Sequence, residues 1–323
     1  MSTQAAAAQR MRGLTLVELL VSLTLGLLLV VATTAGYLGL SEAARMAEAQ
    51  ARMNEDGQAA LEVLTAHVRM AGGNPDRPSR SPATRRNPVY PNPFAFAVRG
   101  CDRTFANVVS AASVQDLTCA GGTTPAPDSI AVTYEVDRYN TVTQGPSWDP
   151  TDCLGRPLPA LTATVTVIAP PPAPPTDTDI SYHVADNRFY IDAFGPTGSP
   201  SLFCKGNGMN SDASPLVENV EDLQLTYGTV PPGTAVTNTA HIAGYLGASD
   251  LTGHPAFGGA PEAERWGKVA SVRICVVVRS NKPVVLGEGS ARYVKCDGTI
   301  DSSVSDSYLR RAYSTTVVLR NRR

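Results

Sequence analysis

Residues 12–40 read RGLTLVELLVSLTLGLLLVVATTAGYLGL, and this stretch decides the first part of the fold. Glu18 is its only charge after Arg12, and Leu19 to Leu40 is an uncharged run. About 20 apolar residues in a helix cross a hydrocarbon core of ~30 Å. The residues before the run carry Arg10 and Arg12 and no acid, which predicts the leader inside and the remainder outside. The stretch therefore predicts one membrane-spanning helix with an exported body.

Two simpler interpretations fit this stretch less well. A cleaved secretory signal has an apolar core of about 7–15 residues, whereas this run is longer and no Cys follows it for lipoprotein processing. A plain anchor leaves Glu18 unexplained, because a carboxylate in an apolar helix costs about 3 kcal/mol unless it is paired. Cleavage of the Gly13–Leu14 bond would create an α-amino group at Leu14 that can pair with Glu18 of a neighbouring copy. We therefore expect a helix that packs against other helices.

The nine residues from Arg12 to Leu20 resemble the class III signal of type IV pilins and pseudopilins. In that family a prepilin peptidase cuts after the Gly and methylates the new N-terminus, and the Glu at the fifth mature position guides assembly. The resemblance implies that Gly13 is the cleavage residue, Leu14 the methylated N-terminus and Glu18 the assembly carboxylate. The first mature residue of the family is usually Phe, and here it is Leu14.

The helical pattern continues without Pro until a stop signal, Gly-Gly-Asn-Pro at residues 72–75. It predicts one helix from about Leu14 to about Ala71, and Gly57 is expected to permit a bend. An apolar stripe at helical spacing predicts the core face of its second half. The stripe consists of Met46, Met53, Ala60, Leu64 and Val68.

Short β-branched runs separated by turn signals predict an antiparallel β-rich head after the helix, and hence an α+β fold. We expect loops at Pro75–Pro93 and at Pro170–Pro175, the latter an extended linker of sequence PPPAPP, and a low-order region at Gly228–Gly267. The predicted strands are Ser129–Asp137, Thr162–Ala169, Arg188–Phe194, Leu223–Tyr227, Val269–Arg279 and Ala312–Leu319.

Six cysteines in an exported domain favour structural disulfides over a metal site, because no C-x-x-C or H-x-x-x-H spacing is present. Six cysteines allow many pairings, and the sequence cannot choose among them. Sequence order gives the simplest guess, which is Cys101 with Cys119, Cys153 with Cys204 and Cys275 with Cys296.

The sequence offers no catalytic constellation. Its four His residues are scattered, and no nucleophile elbow, P-loop or dinucleotide motif is present. The segment from Lys205 to Asp212 lacks the alternating acids of a calcium loop, which makes it a surface turn, and Asp177 and Asp179 are expected to be solvated loop charges. A net charge of −2 and a pI near 6.1 argue against nucleic acid as a partner. We therefore expect neither an enzyme nor a cofactor.

Further motifs stand along the chain at Arg69–Gly72, Asp128–Tyr134, Asp152–Gly155, Leu216–Gln224, Trp266–Arg273 and Thr316–Arg322. These motifs resemble those of the PilW family of minor pilins, in the order that the family has them. The resemblance implies a non-catalytic minor pilin that primes and caps type IV pilus assembly at the fibre tip. Its expected partners are other minor pilins, the major pilin, prepilin peptidase, the inner membrane and a tip adhesin.

The expected organisation is a prepilin leader (1–13), an assembly helix (14–40), an amphipathic continuation (41–73) and a periplasmic head (74–323). The resemblance places the chain as a single-pass protein in the bacterial inner membrane before assembly, and at the pilus tip on the cell surface afterwards. Two rivals stay open. A pseudopilin of a type II secretion system shares residues 1–70 of this pattern, and a membrane-anchored periplasmic enzyme, binding protein or adhesin would use the helix only as an anchor.

Overall fold

The structure is a computed structural model that describes residues 15–88, 96–137, 139–145, 149–196, 198–210, 212–234, 236, 241–284 and 291–321. The chain forms two compact units, divided between Glu48 and Ala49. One helix, α1 (Leu16–Met70), begins in the first unit and ends in the second, where antiparallel strands follow it. The predicted α+β fold, a long apolar N-terminal helix followed by a β-rich head, is confirmed.

The part of α1 that lies in the first unit is apolar and exposed. Every side chain from Leu16 to Leu40 is exposed. An 18-residue window of α1 reaches a mean hydropathy of 2.4, and α1 is the one helix among the described residues that is long and apolar enough to cross a membrane. An apolar surface of this extent requires lipid or other apolar helices around it.

Beyond Glu48, α1 buries one face in the core of the second unit. The buried residues recur every three or four positions, as a single helix face requires. They are Ala49, Met53, Gly57, Ala60, Leu64 and Val68. Four of the five residues in the predicted stripe are among them. Met46 is 39% exposed, so its placement in the core was predicted wrongly, because it precedes the unit whose core the others fill.

The helix ends where the sequence predicts. Gly72 adopts a left-handed backbone with φ 73°, and its N–H donates to the carbonyl oxygen of Thr133 over 2.8 Å. The amide Nδ2 of Asn321 caps the last turn by donating to the carbonyl oxygens of Arg69 and Met70 over 3.1 and 3.2 Å. The chain therefore passes directly from the helix to the first sheet.

The described strands lie after the helix in the second unit. They are β1 (Val98–Cys101), β2 (Ser129–Val136), β3 (Thr143–Gln144), β4 (Asp149–Pro150), β5 (Leu161–Val167), β6 (Thr176–Phe194), β7 (Ser199–Lys205), β8 (Ser214–Glu218), β9 (Val220–Thr229), β10 (Gly244–Leu246), β11 (Val269–Arg279), β12 (Tyr293–Val294), β13 (Ile300–Asp301) and β14 (Arg310–Val318). Two short helices, α2 (Ala248–Gly253) and α3 (Glu262–Gly267), stand between β10 and β11.

The described part of the head contains two larger antiparallel sheets and two two-stranded sheets, β3-β4 and β12-β13. The first larger sheet has the strand order β1-β2-β6-β7-β8, with β5 also paired to β6, and the second has the order β10-β9-β11-β14. Alternating side chains of both sheets join the buried face of α1 in one core, in which Leu64, Tyr134, Phe189 and Ile274 are at most 1% exposed. Hydrophobic burial around the end of α1 thus holds the two sheets together.

Two of the predicted loops are more ordered than expected. Pro170–Pro175 connects β5 to β6, which pair from Leu161 with Tyr182 to Val167 with Thr176, so this segment is a hairpin connection within one sheet rather than a linker. The region Gly228–Gly267 contains β10, α2 and α3, and the prediction of low order there is wrong. Its anchor is Trp266, fully buried at 4.8 Å from the Tyr227 ring in edge-to-face contact.

Two of the strands that were not predicted, β7 and β8, contain Pro. Pro200 and Pro215 lower the strand signal there. Pro200 is the second residue of β7, and β8 is an edge strand, where a missing N–H is tolerated. The described part of the Pro75–Pro93 loop contains a 3₁₀ turn at Pro82–Thr84, and residues 89–95 lie outside the described residues.

Candidate functional site: the start of the long helix

Glu18 is engaged at the first turn of α1. Its Oε2 accepts from the N–H of Thr15 over 2.9 Å and from the Thr15 hydroxyl over 3.0 Å, and the N–H of Glu18 donates back to Thr15 Oγ1 over 3.2 Å. These reciprocal bonds form a capping box, which satisfies backbone donors that a helix start leaves without partners. Thr15 and Glu18 thus fix the point at which the helix begins and orient the carboxylate there.

The sequence pattern of this capping box is Thr-x-x-Glu at residues 15–18. Sequence reasoning singled out Glu18 and missed Thr15, although this spacing is a known helix-start signature. Gly13 and Leu14, the predicted cleavage residue and new N-terminus, lie outside the described residues. The structure therefore gives Glu18 a neighbour on its own helix and says nothing of its predicted pairing with Leu14.

The Ser and Thr hydroxyls in the apolar part of α1 bond to their own helix. Ser22 donates to the carbonyl oxygen of Glu18, Thr24 to that of Val21 over 2.9 Å, and Thr34 to that of Val30 over 2.7 Å. A hydroxyl satisfied by the carbonyl of the preceding turn needs no water. The carboxylate of Glu18 is consequently the group in this surface for which an apolar environment is costly.

All six cysteines of the head are bonded in disulfides. The Cα atoms lie 5.5 Å apart in Cys101–Cys119, 6.5 Å in Cys153–Cys204 and 5.8 Å in Cys275–Cys296. These are the pairs that sequence order suggests. The first closes a loop beside β1, the second ties the turn after β4 to β7, and the third ties the segment after β12 to β11.

A buried polar group lies between α1 and the first sheet. His67 Nδ1 is 2.8 Å from the hydroxyl of Tyr134, and the amide Nδ2 of Asn187 donates to that hydroxyl over 3.1 Å. Burial lowers the pKa of His67 to about 4, and the charge of Asp152 only partly offsets this. His67 is therefore neutral at pH 7 and packs at 5.1 Å from the Phe189 ring, as a structural residue rather than a base facing a cleft.

Asp152 holds Gly208, in the segment from Lys205 to Asp212, to the turn that follows β4. The Asp152 carboxylate accepts from the N–H groups of Leu154, Arg156 and Gly208 over 2.8 to 3.0 Å. Among the described residues no group of three or more potential metal ligands occurs. Asp177 and Asp179 accept from the hydroxyls of neighbouring β5 threonines over 2.7 Å on an exposed face. Neither place has the geometry of a cation site.

A family comparison locates the best-matched part of the chain. The model of PilW, type IV pilus-assembly protein W, matches residues 188–321, which comprise the end of β6, β7 to β14, and both short helices. This part of the chain is similar to the PilW family. No match was found among curated proteins, and none among solved structures.

The PilW match implies a role connected with type IV pilus assembly and contact with pilus components. PilW proteins form a pilus-assembly family that is generally structural. An N-terminal helix that could anchor in a membrane and three disulfides in the head agree with this. Two of the motifs that suggested the resemblance, those beginning at Leu216 and Trp266, lie in the matched part, and the one beginning at Thr316 lies in it up to Asn321. The signal around Gly13 and the three motifs between Arg69 and Gly155 lie before it.

Proposed function

We propose that this chain is a minor pilin that primes and caps type IV pilus assembly, as a non-catalytic subunit at the fibre tip. The observation that carries the proposal is the occurrence, in one chain, of a PilW-like region and a fully exposed apolar helix start with Glu18 in its first turn. The PilW-like region alone supports pilus assembly in general. The helix adds the means by which a subunit would enter a fibre.

The helix acts in two ways in this proposal. Its uncharged run from Leu19 to Leu40 holds the subunit in the inner membrane, since leaving the bilayer would expose that apolar surface to water. Glu18, oriented by Thr15, pairs with the α-amino group of a neighbouring subunit. In a low-dielectric environment such a pair fixes the axial register between helices more than it adds stability. The neighbour's membrane helix then leaves the bilayer together with this one.

Processing by prepilin peptidase completes the proposal. Residues 1–13 are the leader, Gly13 precedes the cleaved bond, and Leu14 is the methylated N-terminus. Residues 14–40 are the assembly helix, 41–73 continue it, and 74–323 form the periplasmic head. The partners are other minor pilins, the major pilin and a tip adhesin. A head of this size would obstruct a position in the fibre shaft, which favours the tip.

A pseudopilin of a type II secretion system is the alternative that shares the same helix. The test is to delete the gene and to count surface pili while measuring exoprotein secretion in the same cultures. We expect pili to be lost and secretion to stay normal. Intact pili with failed secretion would move the chain to the secretion machine, and no change in either would refute an assembly role.

Position in the fibre needs its own measurement. A peptide tag in the exposed turn at Asn281, labelled with gold on sheared pili, would locate the subunit. The proposal expects single gold particles at fibre ends. Labels spaced along the shaft would contradict the tip position while leaving a role in assembly intact.

A further inference from the structure

The outer edge of β5 is paired over only part of its length. Ser81 N–H donates to the carbonyl oxygen of Thr166, and Ile168 N–H donates to that of Ser79, both over 2.8 Å. Arg80 and Val167 thereby form an antiparallel bridge. The segment before the 3₁₀ turn thus adds a short third strand to the β5–β6 hairpin, on the side away from β6.

The 3₁₀ turn at Pro82–Thr84 ends this pairing. The N–H of Thr166 donates to the Thr84 hydroxyl over 3.2 Å, and a side chain therefore takes the place of a backbone carbonyl oxygen as the acceptor. Antiparallel strands direct the N–H and C=O of successive residues to opposite sides. Since both groups of Thr166 point away from β6, those of Thr164 do the same. No described residue continues the pairing as far as Thr164.

A cavity lies at this point of the edge. Its volume is about 460 Å³, and it is lined by residues 163–165 of β5 on one side and residues 82–86 with Pro88 on the other. Buried Val165 contributes to its wall. A strand edge that no described residue pairs, facing an open slot, is the geometry that accepts an extended peptide as an added strand.

The lining of the slot contains two Arg residues and one Asp, and Asp179 lies on the exposed face beside Thr164. Asp76 is the acidic residue of the lining, against Arg85 and Arg86. Arg77 is already paired with Glu135 over 2.5 Å, and Arg80 donates to Asn87 over 2.7 Å, whereas Arg85 is exposed at the slot. An acidic strand would therefore be favoured over a basic one by charge complementarity.

We propose that the slot between β5 and residues 82–88 binds an extended, acidic peptide segment of another protein by β-strand addition. The backbone of Thr164 pairs with the peptide backbone, and Arg85 attracts its acidic side chains. This site does not depend on the pilus role, because its recognition chemistry is complete within the head.

The test uses the full chain in detergent micelles and a fluorescein-labelled peptide of about eight residues in which Thr and Val alternate with Glu. Anisotropy would measure its binding, with a Lys-for-Glu peptide as the charge control. We expect the Glu peptide to bind at least about tenfold more tightly, and added salt to reduce that preference. Equal affinity for the two peptides, or no binding of either, would overturn the proposal.

Two variants separate backbone pairing from side-chain effects. Thr164→Pro removes the outward N–H without removing a bond to β6, and we expect it to weaken binding about tenfold. Thr164→Ala keeps that N–H and should bind as the wild type does. Arg85→Glu should reverse the preference between the two peptides. Unchanged binding by Thr164→Pro, with far-UV circular dichroism equal to that of the wild type, would contradict strand addition.

A modified peptide tests strand addition independently of whether the Thr164→Pro variant folds. Methylation of alternate backbone nitrogens along one edge of the Glu peptide blocks pairing and leaves the protein unaltered. Binding should then fall about tenfold for one of the two possible methylation patterns, because only one edge faces β5. Equal binding by both patterns would show that the peptide does not add as a strand.

Discussion

A Cβ atom at Gly57 of α1 would lie 2.5 Å from Cδ2 of Tyr313 in β14, so the tyrosine ring packs directly on the helix backbone. The Tyr313 hydroxyl donates to Asn54 Oδ1 over 2.7 Å one turn earlier. Gly57 was expected to permit a bend, but its contact gives it another role. It lets the last strand of the second sheet approach the helix.

Gly57→Ala should therefore destabilise the head although alanine is the better helix former. The overlap with Tyr313 costs about 1–3 kcal/mol, which exceeds or cancels the ~1 kcal/mol gained in helix propensity. Urea unfolding of the head measures this. Gly253→Ala at the end of α2, where nothing lies within 4 Å, is the matched control and should cost nothing. A Gly57→Ala protein more stable than the wild type would contradict the packing.

Asp128 predicts a loss of stability toward alkaline pH. Its side chain is 4% exposed, and burial raises its pKa to about 8, with Asp102 and Asp222 adding to the effect and the N–H of Leu225 opposing it. The unfolded pKa is near 3.8, so the folded state holds more protons between these values. Stability from this group therefore falls as pH rises through that window, by at most about 1.4 kcal/mol per pH unit.

Asp128→Asn is the variant that tests this dependence. It keeps an acceptor for the N–H of Leu225, 2.7 Å from Oδ2, and cannot ionise. We expect it to be more stable than the wild type at pH 8 and to have a flatter profile from pH 6.5 upward, measured by urea unfolding. A variant with the alkaline slope of the wild type would refute the assignment.

His67 predicts the opposite trend on the acidic side. Its folded pKa of about 4 lies below the ordinary 6.5, so the unfolded chain binds the extra proton between these values. The contribution of His67 to stability therefore decreases as pH falls from 6.5 toward 4, whereas that of Asp128 has the opposite sign in the same window. His67→Gln should remove the His67 contribution and leave that of Asp128, at a cost of about 1–2 kcal/mol at pH 7, because the bond to Tyr134 is altered. His241→Gln at an exposed position should keep the wild-type slope.

The disulfide Cys153–Cys204 should contribute the most stability of the three. It spans a sequence separation of 51, against 18 and 21 for the others, and the cost of closing a loop in the unfolded chain rises with loop length. Replacing both cysteines by alanine should cost about 4 kcal/mol, against about 3 kcal/mol for Cys275–Cys296. Thermal unfolding of the two double variants compares them, and a smaller loss for Cys153–Cys204 would contradict the expectation.

Local sequence signals predicted much of the fold. The helix end at Gly72, the strand β11 and most of β14 follow from turn residues and β-branched runs that are contiguous in the chain. The order of the cysteines suggested the pairs that the structure contains, and two of these, Cys101–Cys119 and Cys275–Cys296, join segments that are close in sequence. At the helix start, Glu18 was recognised from its isolation in an apolar run.

Long-range packing accounts for the rest. His67, Tyr134 and Asn187 come together only because α1 lies on β2 and β6, and no spacing in the sequence reports this. The strand β7 was not predicted, because Pro200 lowers its strand propensity. Its pairing with β6, which the sequence does not report, stabilises the strand. Thr15 is a different case, because the pattern Thr-x-x-Glu could have predicted its role from the sequence alone.

The central claim, that Glu18 acts in assembly rather than anchoring, has one direct test. The deletion strain is complemented with the wild type, with Glu18→Ala, or with Thr34→Ala, whose hydroxyl bonds only within its own helix. Surface pili are counted and the chain is quantified in the membrane fraction. We predict that Glu18→Ala is present in the membrane at the wild-type level but restores about tenfold fewer pili or less, while Thr34→Ala restores them fully. Wild-type numbers of pili with Glu18→Ala would contradict the account.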